Sequence, residues 1–171
     1  MAHTTVIYEG TPGHRLRTPQ LDVIGITDDE LEQELYDALA AGTSRIEHSG
    51  GMGVAELLQA RDFLAGKLPV RLLRYSFESL ELIADYKRSF NSGRQRPAVF
   101  LYPVTAGTES VEHQDVSILP VYDHDHAEQI GAHLSAEGVG RVELYGGLGP
   151  ATATVIRWGA SGSVPVGFID P

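Results

Sequence analysis

The sequence predicts an α/β fold made of two copies of a β-β-α-β-α-β half-domain. Apolar segments typical of strands alternate with amphipathic segments typical of helices, which favours a largely parallel sheet with flanking helices. The stretch RIEHSGGMG at 45–53 returns as RVELYGGLG at 141–149. When residues 21–73 are aligned without gaps with 117–169, fifteen of the 53 pairs are identical, whereas random pairing gives about three or four. The repeat therefore predicts an internal duplication whose halves are related by a pseudo-twofold axis.

Each copy is predicted to begin with two apolar strands and a capped helix. Asp28 or Thr27 in the first copy and Asp123 or Asp125 in the second are suitable N-caps, because their side chains can accept from free amides of the first helical turn. Gly42 and Gly138 stand where the two helices should end. The two strands and the helix are predicted at 4–8, 21–26 and 27–42 in the first copy, and at 98–104, 116–122 and 123–138 in the second.

A short strand, a glycine turn, a second helix and a last strand complete each predicted copy. The second helix is VAELLQARDFLAG in the first copy and PATATVIRWGASG in the second, where Pro150 suits the first helical position. The last strands are PVRLLRY and PVGFID. A helix and a polar linker at 76–96 join the copies. We therefore expect one compact domain over 1–171, built from repeats at about 1–75 and 97–171.

The strands RIEHS and RVELY alternate polar and apolar residues, unlike the continuous apolar runs of central parallel strands. Side chains repeat every two residues along a strand, so Arg45 and Glu47 share one face, as do Arg141 and Glu143. One interpretation is a solvated edge or a one-sided sheet. The other is that the charged faces meet around the pseudo-twofold axis, with Arg45 opposite Glu143 and Arg141 opposite Glu47.

Composition indicates a folded, soluble chain and excludes several function classes. The net charge of −10 repels nucleic-acid phosphates, so we expect no nucleic-acid partner. No apolar run approaches the roughly 18 residues of a membrane span, and the N-terminus lacks a secretory-signal pattern. We therefore expect no membrane partner and a cytoplasmic location. The absence of cysteine excludes disulfides and thiolate metal sites.

The two glycine turns are the candidate ligand site. Glycine allows a sharp strand-to-helix turn and close approach of a ligand to the backbone. The first amides of the following helix lack internal partners and carry partial positive charge, which favours a small anion. The alternative is that these glycines serve only the backbone. The candidate binding residues are Ser49, Gly50, Gly51 and Gly53 in the first turn, and Tyr145, Gly146, Gly147 and Gly149 in the second.

The order of strand, helix, SGGMGVAE, helix and LPVRLL resembles the Rossmann-like superfamily of DNA-processing protein A and the "lonely guy" phosphoribohydrolases. Members carry a later P-G-G-x-G-T-x-x-E motif, where this chain has YGGLGPATA. The resemblance covers about 21–73 and 141–170 and implies a Rossmann-like sheet with a phosphate-cradling turn. Tyr145 replaces the motif proline, Pro150 the threonine and Ala153 the glutamate. The hydrolytic carboxylate is therefore missing, and the resemblance does not imply that activity.

Catalytic candidates lie beside the first turn. His48 precedes the turn and Glu56 stands early in the following helix, where each could act as an acid or a base. The structural alternatives are a hydrogen-bonded core histidine and a carboxylate that supports the helix N-terminus. Trp158, on the second copy's last helix, is expected to serve packing.

A metal site is a further alternative in the stretch YDHDHAEQIGAH. His124 and His126, with nearby carboxylates and His133, are side chains that can bind Zn²⁺. The aligned stretch of the first copy, TDDELEQELYD, has acidic residues instead of the histidines, and a capped helix start explains the pattern more simply. We therefore expect no metal.

The favoured function is binding of a small phosphorylated or nucleotide-like anion at the paired glycine turns. Whether the protein is an enzyme stays open, and no cofactor is identified. One alternative is a structural protein that forms homo-oligomers and uses its glycines only for the backbone. A second alternative is a metal-dependent hydrolase that uses the histidine and aspartate cluster around His124 and His126.

Overall fold

A computed structural model describes residues 3–10, 13–94 and 96–170. The chain divides into two compact units, Met1–Leu73 and Arg74–Pro171. Each unit carries its own five-stranded, mostly parallel sheet with helices packed against it. The predicted α/β class with a largely parallel, Rossmann-like architecture is thereby confirmed.

The first unit is a sheet with strand order β2-β3-β1-β4-β5. Strand β2 is an antiparallel edge, and the other four strands are parallel. A short 3₁₀ turn at Asp28–Glu30 leads into the first helix. The elements are β1 (Thr4–Glu9), β2 (Arg15–Arg17), β3 (Leu21–Ile26), α1 (Leu31–Ala40), β4 (Arg45–His48), α2 (Val54–Leu64) and β5 (Val70–Leu72).

The second unit is a sheet with strand order β6-β10-β9-β7-β8, again with one antiparallel edge, β6. A 3₁₀ turn at Phe77–Ser79 precedes its first helix, and another follows β7 at Val104–Ala106. The elements are β6 (Arg74–Tyr75), α3 (Leu80–Asn91), β7 (Ala98–Pro103), β8 (Val116–Val121), α4 (His124–Ala136), β9 (Arg141–Leu144), α5 (Pro150–Gly159) and β10 (Val166–Phe168).

The four parallel strands follow one order in both units, and each unit adds an antiparallel strand at one edge. Leu21 pairs with the first residue of β1, and Val116 pairs with the first residue of β7. The strand positions therefore match Leu21 with Val116, whereas the ungapped alignment matches Leu21 with Ser117. One extra residue, Tyr122, between β8 and α4 explains the slip. The duplication itself stays a prediction.

The helices bury one face of each sheet. In the first unit α1 and α2 pack on the apolar face of the strands, and in the second unit α4 and α5 do the same. Glycines allow α4 and α5 to approach closely: a Cβ added at Gly131 would overlap the Ile156 carbonyl oxygen, and one at Gly159 would overlap that of Glu128. The resulting backbone contact fixes α5, and with it the turn from which α5 begins.

The carboxylates on the charged faces of β4 and β9 are buried. Glu47 is 1% exposed and Glu143 is 0% exposed, and both strands lie inside their sheets. A solvated edge is therefore the wrong interpretation. Arg45 Nε lies 3.1 Å from Glu47 Oε1 on its own strand. The pairing of Arg45 with Glu143 across the copies stays a prediction.

Burial of the second charged face leaves Arg141 ionised. Burial alone would lower the pKa of the Arg141 guanidinium, but the carboxylate of Glu143 and the hydroxyl of Tyr75 outweigh it and hold that pKa above its usual value. The guanidinium carbon also lies 5.1 Å from the centre of the Tyr86 ring, a cation–π contact. Arg141 therefore keeps its positive charge beside the Tyr86 ring.

Candidate functional site

Each glycine turn leaves its sheet at the carboxyl end of a parallel strand. The Ser49 N–H donates to the Ile7 carbonyl (2.9 Å), and the Tyr145 N–H donates to the Leu101 carbonyl (2.9 Å). These are the last backbone bonds from the two strands to the sheets, and helix α2 or α5 begins a few residues later. The carboxyl edge is where ligands of open α/β sheets usually bind.

The first turn is closed by its own side chains. The Gly51 N–H donates to Ser49 Oγ (3.3 Å), and the Met52 N–H donates to the Ser49 carbonyl (3.0 Å). The Gly53 N–H, at the N-cap of α2, donates to Glu56 Oε2 (2.9 Å). Glu56 thus occupies the place where an anion would bind. Ser49 is itself fully buried.

Carboxylates surround this first turn. Partial burial raises the pKa of Glu9 above its usual value, and the neighbouring charges of Asp28 and Glu56 raise it further. Glu9 ends β1, and Asp28 follows β3, so both lie at the same carboxyl edge as the turn. This clustering is not visible in the sequence, because the three residues are separated along the chain and only the strand order brings them together. The local negative potential disfavours an anionic ligand.

His48 is a buried histidine without a hydrogen bond. It is 0% exposed, and neither Nδ1 nor Nε2 has a partner among the described residues. Burial lowers the pKa of His48 to about 4, although the negative charge of Glu56 acts in the opposite direction. The ring is therefore neutral at pH 7. The structure brings the two catalytic candidates, His48 and Glu56, within electrostatic reach of each other but does not join them by a hydrogen bond.

The second turn has a different backbone. Gly146 and Gly147 have φ of 67° and 96°, the left-handed region that favours glycine, whereas the glycines at the aligned positions 50 and 51 do not. Gly149 is the N-cap of α5, and Pro150 occupies the first position of the helix. A Cβ added at Gly149 would meet open space.

The amides at the start of α5 are free. In the part of the chain that the structure describes, the N–H groups of Gly149, Ala151 and Thr152 have no protein acceptor. The first turn of α5 contains no acidic residue. Thr152, at the position aligned with Glu56, is 8% exposed, and its hydroxyl makes no hydrogen bond to the described residues. A neutral donor thus stands where the first turn carries its carboxylate.

The Tyr145 side chain is buried in the second unit and is not available to bind a ligand at the turn. It is 1% exposed, and its hydroxyl donates to Glu143 Oε2 (3.1 Å). Its ring packs edge-on against Phe100, with 5.4 Å between ring centres. Tyr145 therefore belongs to the interior of the second unit, and its contribution to the turn is made by its backbone.

The histidine stretch does not assemble into a metal site. Asp123 caps α4 by accepting from the His126 N–H (2.8 Å), and His126 Nδ1 accepts from the Tyr122 N–H (3.2 Å). His133 lies 3.2 Å from Glu137 on the same helix. No group of three side chains capable of holding a metal ion occurs within residues 3–10, 13–94 and 96–170, and His124 joins none.

An open groove of about 710 Å³ runs beside α5. Trp158, expected to serve packing, is 72% exposed and lines this groove, so that expectation is wrong. Arg157 Nη1 lies 4.0 Å from Glu78 Oε2, and the buried Arg157 Nε has no acceptor among the described residues. Sequence alone could not find the groove, since Glu78 is distant in the chain from α5.

No protein-family model matches the chain, and no protein of curated function is similar to it in sequence. Among solved structures, a carbohydrate transporter from Acidothermus cellulolyticus 11B, in complex with myo-inositol, aligns with 95% of this chain and 71% of its own chain at 14% identity. The TM-score of 0.30 is too low to carry a functional inference. No described helix is both long and apolar enough to cross a membrane.

Proposed function

We propose that the protein binds a small phosphorylated or nucleotide-like ligand at the second glycine turn, Gly146–Pro150. The free amides at the start of α5 support this proposal most directly. The N–H groups of Gly149, Ala151 and Thr152 have no acceptor within the described chain. Such amides, together with the positive end of the helix dipole, favour a phosphate group.

The chemistry of binding rests on neutral donors. Backbone N–H groups donate to the phosphate oxygens, and the Thr152 hydroxyl adds a side-chain donor at the third helical position. Gly149 leaves space for the ligand because it has no side chain. Pro150 starts the helix without removing a needed donor. Its position lies in the first helical turn of α5, where backbone amides have no partner within the helix.

The first turn is not part of the proposed site. Glu56 accepts the Gly53 N–H, and the carboxylates of Glu9 and Asp28 lie nearby. A phosphate there would have to displace a charge-assisted hydrogen bond in a negative environment. We therefore propose one binding site, at the second glycine turn, instead of the two sites expected from the sequence.

Thr152→Glu is the variant that tests this proposal. A glutamate there can reach back to the Gly149 N–H, as Glu56 does to Gly53, so the variant should seal the second turn and keep a capped helix. Inorganic phosphate, ribose 5-phosphate and ADP are titrated by calorimetry against the wild type and the variant. At least one phosphorylated probe should bind the wild type, and T152E should weaken its binding at least tenfold.

Glu56→Gln is the matched control. It changes the charge at the aligned position of the first turn and should leave phosphate affinity within twofold of the wild type. Equal binding to the wild type and T152E would overturn the proposal, as would the absence of binding by all three probes.

A further inference from the structure

We infer that the groove beside α5 holds the aromatic base of the same ligand, which makes that ligand a nucleoside phosphate. The inference rests on the proposed function, because the phosphate is taken to lie at the start of α5. Independent support comes from the composition of the groove, which extends from Pro150 at the start of the helix to Ser161 and Gly162 beyond its end.

One face of α5 forms the floor of the groove. Pro150, Thr154, Arg157 and Trp158 recur at the three- and four-residue spacing of a single helix face. The 3₁₀ turn at 76–79 and Phe168 of β10 supply other lining residues. A volume of about 710 Å³ is within the range of small-molecule sites, which run from about 300 to 1,000 Å³.

Trp158 supplies a stacking surface for a base. An indole that is 72% exposed gains little from packing within its own unit. A base stacked on such a ring contributes about 1–3 kcal/mol by alanine substitution, which is roughly 5- to 150-fold in affinity. A sugar without a base lacks the flat π surface that makes this contact strong.

Arg157 and Glu78 supply polar groups of both kinds. Arg157 lines the groove with its side chain 26% exposed, and its ion pair to Glu78 is long, with 4.0 Å between Nη1 and Oε2. The guanidinium is therefore available to phosphate or ribose oxygens. Glu78 is an acceptor-only group that suits the ribose hydroxyls or the amino group of a base. A nucleoside phosphate matches both groups and the indole.

The distances along the helix favour an extended ligand. Pro150 and Trp158 are eight residues apart, which corresponds to about 12 Å along an α-helix. A phosphate at the helix start and a ring on Trp158 must therefore be separated by several bonds. Nucleoside diphosphates can span this interval, whereas ribose 5-phosphate and inorganic phosphate can occupy only one end.

The experiment uses Trp158 as its own probe, because it is the only tryptophan in the chain. ADP, GDP, CDP and UDP are titrated while tryptophan emission is followed, and their affinities are measured by calorimetry beside ribose 5-phosphate. At least one nucleoside diphosphate should quench the emission and bind at least tenfold more tightly than ribose 5-phosphate.

Trp158→Ala should then weaken binding of that nucleoside diphosphate by about 5- to 150-fold, with ribose 5-phosphate affinity unchanged. Tyr36→Ala is the matched control, since Tyr36 is a similarly exposed aromatic residue, at 60%, that does not line the groove. It should leave both affinities unchanged.

The outcomes separate the two proposals. In one outcome, T152E abolishes binding of ribose 5-phosphate, nucleoside diphosphates bind no more tightly than ribose 5-phosphate, and W158A does not change their affinity. The base-stacking inference then fails and the phosphate site stands. If no phosphorylated probe binds, the proposed function fails and the inference fails with it. If W158A weakens binding of ribose 5-phosphate as much as binding of the nucleoside diphosphate, Trp158 does not stack on the base, and the inference is also overturned.

Discussion

Replacing His48 with leucine should stabilise the protein. His48 is fully buried, and neither of its ring nitrogens has a hydrogen-bond partner in the described part of the chain. The aligned position of the second unit is Leu144, which is also fully buried at the end of its strand. His48→Leu therefore removes unsatisfied polar atoms from the core and introduces a side chain that the same architecture accommodates elsewhere.

The expected gain has two parts. A buried polar group without a partner costs about 1–3 kcal/mol, so the variant should gain roughly that much at pH 7.5. Burial lowers the pKa of His48 from 6.5 to about 4. Below pH 6.5 the unfolded chain therefore binds a proton that the folded chain does not bind until pH approaches 4. At 1.36 kcal/mol for each unit, the wild type loses about 3 kcal/mol over this interval that the variant retains.

Urea unfolding followed by circular dichroism at pH 7.5, 6, 5 and 4 measures this difference. The free energy of unfolding of His48→Leu minus that of the wild type should be positive at pH 7.5 and should grow as the pH falls below 6.5. His124→Leu, at an exposed position, is the control and should shift the free energy by less than about 0.5 kcal/mol. A less stable His48→Leu variant at pH 7.5, or a difference that does not depend on pH, would refute the reasoning.

Two further substitutions test the packing and the backbone. Gly131→Ala should lower the free energy of unfolding by about 1–3 kcal/mol, because its Cβ would overlap the Ile156 carbonyl oxygen; urea unfolding would show the loss, while Gln129→Ala on the exposed face of α4 should change little. Ala65→Gly should raise the free energy of unfolding by about 0.5–1 kcal/mol, because the φ of 47° at Ala65 costs more free energy for an alanine than for a glycine. Thermal unfolding measures the second effect, and a lower melting temperature would contradict it.

The fold class was predictable because the strand and helix patterns are strong where the elements are long. Strand β7 is an almost wholly apolar run of six residues, β1 has the apolar segment VIY at its centre, and the helices follow capping residues and end near glycines. The short antiparallel edges, β2 at Arg15–Arg17 and β6 at Arg74–Tyr75, contain too few residues to show a period of two. The ungapped alignment also did not reveal the extra residue Tyr122. A shift of one residue in an apolar strand still aligns apolar residues with one another.

The location of the candidate site was also predictable in part. A glycine turn between a strand and a helix can be recognised in one dimension, and both turns lie at the carboxyl edges of their sheets. The carboxylates of Glu9 and Asp28 could not be assigned to the first turn from sequence, because the strand order decides which loops become neighbours. Exposure of Trp158 likewise depends on which elements cover α5, and the apolar spacing of that helix gives no information about them.

The two turns show why matching glycines do not establish matching function. A glycine at a given position reflects the backbone conformation of the turn. Ligand binding depends instead on whether the backbone amides at the start of the helix have no acceptor within the protein. In the first unit the third helical residue is Glu56, and it accepts the hydrogen bond that a ligand would accept. In the second unit the aligned residue is Thr152, which has no carboxylate to accept the Gly149 N–H. A sequence pair that is identical at its glycines therefore specifies one sealed helix start and one open helix start, and the exchange of a single side chain should convert the second into the first.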